Sequence, residues 1–337
     1  MKKVRLGISV GDINGVGLEL IIKGFQDLSL FEYCNPILYC CKKLISKYAE
    51  KAKINPKKIN FIQEENQAEE NVVNCINNFK SDYDLNLGTS TKESGFIALQ
   101  SLKHVSKAAL DGKIDCLVTC PINKETVKLH SKNFIGHTEY FENLFDGSSL
   151  MLMTSDQMKI AFLTGHIALN KVSKRINDKA IFSKIKTLHK TLQNDFLIKH
   201  PKIAVLALNP HSGENGILGC EEIETIVPAI KRIKNENIIC DGPFPADSFF
   251  SKSNLKKYDA ILSMYHDQGL IPFKMCSFSS GVNFTSGLEI VRTSPVHGPA
   301  FDLSGKNIAD IGSFKQSVIQ ACLIYKNRIG LNLKENQ

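Results

Sequence analysis

Three histidines follow apolar runs that are typical of buried strands. The runs at 159–163, 202–208 and 261–265 end just before His166, His211 and His266. Ligands bind at the carboxyl ends of strands in α/β proteins, and neutral imidazole is a common ligand of divalent transition metals. One interpretation is a three-histidine metal site. The other, three unrelated loop histidines that hydrogen-bond locally, fits the spacing equally well, because periodicity does not show that the three converge.

Charged side chains accompany these histidines. Asp267 follows His266 directly, and Lys274 lies a few residues further on. Asp247 lies in a proline-rich loop ahead of a helix-like segment at 248–257, where helix N-capping is the simpler explanation. A carboxylate beside a metal takes a proton or orients a histidine, and a fixed positive charge attracts anionic substrates.

A glycine-rich turn, Gly11–Glu19, connects a first strand at 4–10 to a helix that extends to about residue 26. Such a turn either cradles a phosphate or simply lets the helix pack closely on the sheet. Its G-x-x-x-G-x-G spacing does not match the G-x-G-x-x-G fingerprint of dinucleotide-binding proteins. Asp12 lies in this turn, at the carboxyl end of the strand.

Apolar runs that alternate with amphipathic segments predict an α/β protein. Further strands are expected at 36–41, 58–63, 115–119 and 203–208. Helices are expected at 42–51, 94–110, 176–192, 220–234 and 312–327. The runs 149–154 and 158–163 predict an antiparallel hairpin, whereas residues 64–92 are polar and weakly patterned and are expected to be irregular.

Length and charge restrict the class of protein. A chain of 337 residues forms two domains or one large α/β domain with a cleft. Its net charge of +8 comes from scattered lysines. Because there is no arginine-rich block, aromatic stacking motif or helix-turn-helix signature, this charge indicates a solvated surface rather than nucleic-acid binding. It also favours small anionic substrates.

The sequence predicts a cytoplasmic protein with no membrane partner. No apolar stretch approaches the roughly 18 residues that cross a bilayer, and the basic N-terminus lacks the long apolar core of a signal peptide. The ten cysteines contain no C-x-x-C pair and lie partly within apolar runs. Reduced thiols in a reducing compartment are the simplest explanation.

The motifs of this chain, taken in order, resemble those of the 4-hydroxythreonine-4-phosphate dehydrogenase family of pyridoxine (vitamin B6) biosynthesis. The matching stretches are 11–19, 118–124, 136–139, 165–166, 209–214, 242–247, 265–274 and 292–298. The resemblance implies the two-lobed α/β/α fold of the isocitrate and isopropylmalate dehydrogenases, with an active-site cleft between the lobes and no Rossmann nucleotide fold. It implies a cofactor-side lobe, residues 1–124 plus 285–337, and a metal, substrate and dimerisation lobe, residues 125–284.

The resemblance also implies an activity. This is the NAD-dependent oxidation of 4-phosphohydroxy-L-threonine to a β-keto acid, which decarboxylates to 3-amino-2-oxopropyl phosphate in pyridoxal 5′-phosphate synthesis. The enzyme would be a homodimer whose sites are completed across the interface, with one divalent metal per site (Zn, Co, Mn or Mg). The family's metal ligands fall on His166, His211 and His266. Its substrate contacts fall on His137, Thr138, Lys274, Asn283 and Arg292.

The resemblance also implies catalytic residues and cofactor-binding residues. Asp247, Asp267 and Lys274 are the catalytic candidates, and we expect Asp247 to be the active base and Asp267 to support it. Residues 296–309 resemble the adenosine-binding loop of the superfamily. The cofactor candidates are therefore His297, Gly298 and Asp302, with Asp12 from the first turn. An acidic residue at position 302 disfavours a 2′-phosphate, which favours NAD over NADP.

Three other functions are compatible with parts of this pattern. A metal-dependent decarboxylating dehydrogenase of the same fold could act on a different phosphorylated hydroxy acid. A phosphate acyl- or acetyltransferase has a distantly related fold but needs neither three metal histidines nor the loop at 297–302. A non-catalytic metal- or anion-binding protein would not need every candidate group to be present.

Overall fold

The computed structural model describes residues 3–77 and 83–335. The chain forms two compact units. The first comprises Met1–Asp146 with Leu288–Ile329, and the second comprises Gly147–Gly287 with Gly330–Gln337. Both alternate strands and helices, which confirms the predicted α/β class.

Six strands of the first unit lie side by side in a parallel arrangement. Their order is β3 (Ile59–Ile62), β4 (Val73–Ile76), β2 (Cys34–Tyr39), β1 (Val4–Ser9), β5 (Cys116–Thr119) and β12 (Arg292–Pro295). Ser9 pairs with Thr119, so β1 and β5 end at the same edge. The glycine-rich turn and the loop that follows β5 are therefore brought to one edge of this sheet.

The second unit contains six strands, two of which form the predicted hairpin. Their order is β11 (Val282–Leu288), β6 (Gly147–Thr154), β7 (Lys159–Phe162), β10 (Ala260–Ser263), β8 (Lys202–Leu206) and β9 (Ile239–Phe244). The β6–β7 pair is antiparallel, with Leu152 opposite Ala161, which confirms the hairpin. Strand β10 is parallel to both β7 and β8.

The helices of the described chain occur between these strands. They are α1 (Gly17–Gly24), α2 (Leu30–Tyr33), α3 (Lys42–Lys51), α4 (Lys92–Leu110), α5 (Lys124–Lys128), α6 (His137–Glu142), α7 (Asp178–Asn194), α8 (Val227–Lys234), α9 (Ala246–Phe249), α10 (Lys252–Lys257), α11 (His266–Ser277) and α12 (Gly312–Glu335). Short 3₁₀ turns occupy Glu65–Gln67, Leu169–Lys171, Ser173–Arg175 and Pro210–Gly216, and a π-helical turn, Glu222–Ile226, precedes α8. No helix among the described residues is long and apolar enough to cross a membrane.

Helix α4 forms the core of the first unit, as its apolar periodicity predicted. Thr91 caps it, since its hydroxyl accepts a hydrogen bond from the Ser94 amide at 3.1 Å. Its buried face contributes Leu99, Leu102 and Val105 to a hydrophobic cluster that also contains Leu117 of β5. This packing fixes the edge at which β1 and β5 end.

One prediction of irregular structure was wrong, and one helix was not predicted. Strand β4 lies within 64–92, where the weak pattern arises because Asn74 is buried and its amide donates to Asn35 Oδ1 and the Glu69 carbonyl. Residues 78–82 of the same segment lie outside the described residues. The polar stretch at 266–274, where no helix was predicted, lies within helix α11. Gly269 and Pro272 obscured it, and a Cβ at Gly269 would lie 2.7 Å from Ile160 Cγ2 and Ser263 Oγ, so α11 approaches β7 and β10 closely.

The boundaries of the units differ from the predicted lobes at residues 125–146. The sequence prediction grouped this segment with the second lobe, whereas it clusters with the first unit. The reason is packing, because Val127, Phe134 and Phe141 join the hydrophobic cluster around α4. The assignment of cofactor and substrate roles to the lobes stays a prediction.

Candidate active site

Two of the three candidate metal ligands lie together in the second unit. Parallel strands β7 and β10 are neighbours, so the residues that follow them reach the same edge. The rings of His166 and His266 have centroids 5.3 Å apart, and the His266 ring stacks on Phe162 at 5.7 Å. His166 is exposed and His266 is half-buried. Both rings are therefore accessible to a ligand.

Asp267 orients the His266 ring. Its Oδ1 lies 2.6 Å from His266 Nδ1. When Nδ1 carries the proton and donates it to this carboxylate, Nε2 is left as the ligating nitrogen, an arrangement that is common around metal-bound histidines. This geometry fits the supporting role predicted for Asp267.

His211 follows β8, the strand that pairs with β10 on the side away from β7. It begins a left-handed turn, with φ of 52° at His211 and 53° at Ser212, and its side chain is exposed. Ser212 Oγ donates to the Pro243 carbonyl at 3.2 Å, which connects this turn to the loop that precedes Asp247. Within residues 3–77 and 83–335, no group of three or more His, Cys, Asp or Glu side chains is arranged to hold a metal ion. The two imidazoles of His166 and His266 fit a transition metal, and among the described residues no third donor completes the set.

Asp247, Lys274 and Asn283 also belong to the second unit. Asp247 is exposed in the first turn of α9, where Pro245 occupies the N-cap position, so the capping explanation for Asp247 is wrong. Lys274 is half-buried on α11 and lies 6.0 Å from the Phe278 ring centroid. Asn283 lies on β11, and its Oδ1 is buried with no hydrogen-bond partner in the described structure. A buried acceptor of this kind is expected to meet a donor from a ligand or from water.

Arg292 is a buried cation of the candidate site. It is 2% exposed at the start of β12, and its Nε and Nη2 donate to Thr119 Oγ1 at 2.9 and 2.5 Å. Burial lowers the pKa of Arg292 to about 9, while the negative charge of Glu139 opposes that shift. A desolvated guanidinium that contacts a neutral hydroxyl is stabilised when an anion arrives, and its planar fork matches a phosphate or carboxylate.

His137 supplies a neutral polar group near this cation. Burial lowers its pKa well below the usual value, and the positive charges of Arg292 and Lys124 act in the same direction. Its Nε2 is buried and has no hydrogen-bond partner among the described side chains and backbone. Its neighbour Thr138 is half-buried in the first turn of the same helix, α6. These residues therefore offer hydrogen bonds to a bound anion without adding charge.

Two charged residues of this cluster had no role in the sequence prediction. Lys124 begins α5 and Glu139 lies in α6. A Cβ at Gly136 would lie 2.9 Å from Glu139 Oε2 and 3.3 Å from Lys124 Nζ, so both charges converge on Gly136. The available signal was their position within motifs shared with the family, at 118–124 and 136–139.

The glycine-rich turn is a packing element rather than a phosphate cradle. Asn14 N donates to Asp12 Oδ1 at 3.0 Å, and Ser94 Oγ donates to Asp12 Oδ2 at 3.0 Å. Val16 N donates to the Pro299 carbonyl at 2.9 Å. Burial raises the pKa of Asp12. Both carboxylate oxygens of Asp12 are thus engaged within the first unit, and its predicted contact with a cofactor stays a prediction.

The predicted adenosine-binding loop follows β12. His297 is half-buried, with Nδ1 3.0 Å from the Gly298 carbonyl oxygen. Gly298 and Asp302 are exposed. An exposed carboxylate at position 302 is accessible to a ribose hydroxyl, which is compatible with the expected role.

Known proteins match this chain over almost its full length. The family model "Pyridoxal phosphate biosynthetic protein PdxA" matches residues 32–321. A 4-hydroxythreonine-4-phosphate dehydrogenase of Bacteroides thetaiotaomicron is 40% identical over 328 residues, covering 97% of this chain and 90% of the relative. A putative D-threonate 4-phosphate dehydrogenase of Oceanobacillus iheyensis is 36% identical, covering 95% and 97%. The crystal structure of a 4-hydroxythreonine-4-phosphate dehydrogenase from Klebsiella pneumoniae superposes with a TM-score of 0.83 at 30% identity, covering 96% and 98%.

The shared family, identity and fold agree with the resemblance noted in the sequence. The solved relative covers both units, so the fold expected from that resemblance is confirmed. From these matches, the chain belongs to the PdxA family of pyridoxal phosphate biosynthetic proteins and is an oxidoreductase.

Proposed function

We propose that this protein oxidises 4-phosphohydroxy-L-threonine with NAD to a β-keto acid that decarboxylates to 3-amino-2-oxopropyl phosphate, in pyridoxal 5′-phosphate synthesis. The observation that carries this proposal is the buried Arg292, close enough to His137 for its charge to influence the imidazole, whose Nε2 has no hydrogen-bond partner among residues 3–77 and 83–335. Such a pair suits a doubly anionic phosphate or a carboxylate. The relatives named for this substrate support the assignment.

The chain's own residues bind and orient the substrate. Arg292 and Lys274 supply positive charge for the phosphate and carboxylate, and Thr138, His137 and Asn283 supply neutral hydrogen bonds. Fixing both ends of a flexible substrate lowers the entropy cost of reaching the reactive geometry. Neutral His137 would add a directional hydrogen bond to the substrate without adding a positive charge that repels Arg292.

A divalent metal is part of the proposal, with His166, His211 and His266 as its ligands. When bound, the metal would supply Lewis acidity at the hydroxyl that is oxidised. Asp267 would hold the His266 ring in the ligating tautomer through its 2.6 Å contact with Nδ1. We assign proton removal from the hydroxyl to Asp247, an exposed carboxylate that its own helix does not use as a cap.

NAD would accept the hydride and would bind at the loop of residues 297–302. His297 and Gly298 would line the nucleotide site, and Asp302 would hydrogen-bond to the ribose of NAD. The exposed carboxylate of Asp302 supports this role and favours NAD over NADP.

A homodimer would complete the metal site. Helix α11, which begins with His266, exposes Ile271 and Met275, and its C-cap residue Phe278 is exposed as well, with exposed fractions of 58, 83 and 58%. Leu169 and Ile217, which follow His166 and His211 in the sequence by three and six residues, are exposed as well. Apolar side chains concentrated beside the histidines favour contact with a second copy, from which the third imidazole would come. The proposed location is the cytoplasm, which the free state of all ten cysteines supports.

The competing function is oxidation of D-threonate 4-phosphate, the substrate in the name of the Oceanobacillus iheyensis relative. That compound carries a hydroxyl where phosphohydroxythreonine carries an amino group. The phosphate-binding cluster of Arg292 and His137 serves both compounds. The higher identity to the Bacteroides thetaiotaomicron relative, 40% against 36%, favours the amino acid substrate.

The test is NADH formation, followed by absorbance, with 4-phosphohydroxy-L-threonine and NAD. Protein stripped of metal is compared with the same protein after addition of Zn, Co, Mn or Mg. The expected result is NADH only after metal is restored. Absence of NADH with every metal would overturn the proposed reaction while leaving the family and fold unchanged.

A further inference from the structure

Glu19 is a fully buried carboxylate in the first unit, away from the candidate catalytic residues. It lies in α1, with 0% of its surface exposed. Its Oε1 accepts a hydrogen bond from Ala309 N at 2.8 Å and from Lys23 Nζ at 3.2 Å. Its Oε2 is buried with no partner in the part of the chain that is described. Packing alone would be served better by an apolar side chain, because a half-satisfied buried charge is costly.

Lys23 extends the same connection. Besides Glu19, its Nζ donates to the carbonyls of Asn307 at 3.2 Å and Ala309 at 3.1 Å. The two side chains, one helical turn apart, therefore hold three backbone groups of residues 307–309. These residues end the segment 297–309, which contains the proposed nucleotide contacts.

The start of that segment is held by the glycine-rich turn. Val16 N donates to the Pro299 carbonyl at 2.9 Å, and Ser304 Oγ donates to the Gly15 carbonyl at 3.1 Å. A Cβ at Gly15 would lie 2.6 Å from the Pro299 carbonyl oxygen, so only glycine admits this approach. Residues 15–23 thus contact the segment near both of its ends.

We infer that Glu19 and Lys23 are positioning residues that fix the segment 297–309 in its nucleotide-binding conformation. The inference rests on the proposed use of NAD, and the pair acts only through the segment. A segment held in its bound shape loses less entropy when the nucleotide binds, so the pair contributes to nucleotide affinity and not to binding of the phosphorylated substrate.

The first test is hydrogen exchange followed by mass spectrometry on the full chain without ligand. Lys23→Met keeps the apolar stem and removes all three hydrogen bonds, and Glu19→Gln keeps an acceptor but removes the charge. The control is Lys107→Met, because Lys107 pairs with Asp111 one helical turn away in α4. We expect the backbone amides of residues 300–309 to exchange about tenfold faster in Lys23→Met, the effect of one charged hydrogen bond. Unchanged exchange there, or an equal increase over the whole chain, would overturn the positioning role.

The second test asks whether holding the segment 297–309 in place affects nucleotide binding. NADH binding, followed by its fluorescence, should weaken about tenfold in Lys23→Met, as expected for the same loss. The KM for NAD should rise while the KM for the phosphorylated substrate stays unchanged. Faster exchange at 300–309 with unaltered NADH affinity would refute the link to the nucleotide. If the wild-type protein binds no NADH at all, the proposed function fails, and the exchange result alone shows whether the pair holds the segment.

Discussion

Arg292 and His137 show how burial sets the chemistry of single residues. The guanidinium is desolvated against the hydroxyl of Thr119, and Glu139 supplies the opposing negative charge. The imidazole is kept neutral by burial and by the positive charges of Arg292 and Lys124. In the proposed site, the guanidinium would supply the positive charge that binds an anion, and the imidazole would supply a directional hydrogen bond. This division of roles depends on pH in a way that can be measured.

We expect His137 to lower stability in acid. Its folded pKa lies below the ordinary unfolded value of about 6.5, so the unfolded state binds a proton that the folded state does not. The stability that neutral His137 contributes is therefore fully present above pH 6.5 and is lost as the pH falls. The free energy of unfolding then decreases with a slope that approaches about 1.4 kcal/mol per pH unit. The melting temperatures of wild type and His137→Gln, measured from pH 8 to pH 5, should converge or cross toward acid. Parallel curves would contradict the account, and His200→Gln, at an exposed position, is the matched control.

Arg292→Lys should raise the KM for the phosphorylated substrate. Lysine keeps the charge but loses the planar fork, and a charged hydrogen bond contributes about 1.5–3 kcal/mol, or at least tenfold in affinity. Steady-state kinetics with saturating NAD measure this effect. Arg5→Lys changes an arginine that pairs with Asp115 instead and should leave KM unchanged. An unchanged KM in Arg292→Lys would remove Arg292 from the substrate site.

At the scale of single residues, the sequence indicates which groups are candidates and not what they contact. His166 and His266 were identified by their position after strands, and the parallel pairing of β7 and β10 brings them together. Lys124 and Glu139 were missed, because each lies in a short helix whose pattern resembles any solvated turn. Their convergence on Gly136 depends on tertiary packing, which no local pattern contains.

Elements with a strong local signal were predicted well. Helix α4 has regular apolar spacing and a Thr91 cap, and the β6–β7 hairpin has two apolar runs separated by a polar turn. The short strand β4 was missed because its buried Asn74, which donates to the Glu69 and Val72 carbonyls ahead of the strand, interrupts the apolar pattern. Helix α11 was missed because its close contact with β7 and β10 demands Gly269, a residue that lowers helix propensity.

The exposed apolar face of α11 leads to a prediction at this scale. Met275→Glu places a charge on a side chain that is 83% exposed in one chain and that we expect to be covered in the dimer. Sedimentation should show a shift from dimer to monomer, because an unpaired charge is costly in an apolar interface. Leu129→Glu, at an exposed apolar position of the first unit, is the control and should stay dimeric. A Met275→Glu protein that remains fully dimeric would place the interface elsewhere.

For the whole molecule, the order of motifs predicted the family and the α/β fold, while unit boundaries and assembly required more than local pattern. Residues 125–146 joined the first unit through Phe134 and Phe141, which pack on a helix that is distant in sequence. The candidate metal histidines give a related result, because the described residues place the rings of His166 and His266 side by side. We propose that a second copy supplies the third ligand.

Mixing of inactive subunits tests that assignment. If His166 and His266 act from one chain and His211 from its partner, a heterodimer of His166→Ala and His211→Ala contains one intact site. Mixing the two proteins should restore up to about a quarter of wild-type activity, since about half of randomly paired dimers are mixed and each has one working site of two. A mixture of His166→Ala with His266→Ala should stay inactive. If instead only the mixture of His166→Ala with His266→Ala regained activity, His266 rather than His211 would be the ligand that comes from the partner chain.

The most direct measurement of the central claim compares two substrates on the same metal-restored protein. We would determine kcat/KM for 4-phosphohydroxy-L-threonine and for D-threonate 4-phosphate, with NAD, by following NADH. We expect a value about tenfold higher or more for 4-phosphohydroxy-L-threonine, the difference made by one hydrogen bond to its charged amino group. A preference for D-threonate 4-phosphate would contradict the proposed role in pyridoxal 5′-phosphate synthesis.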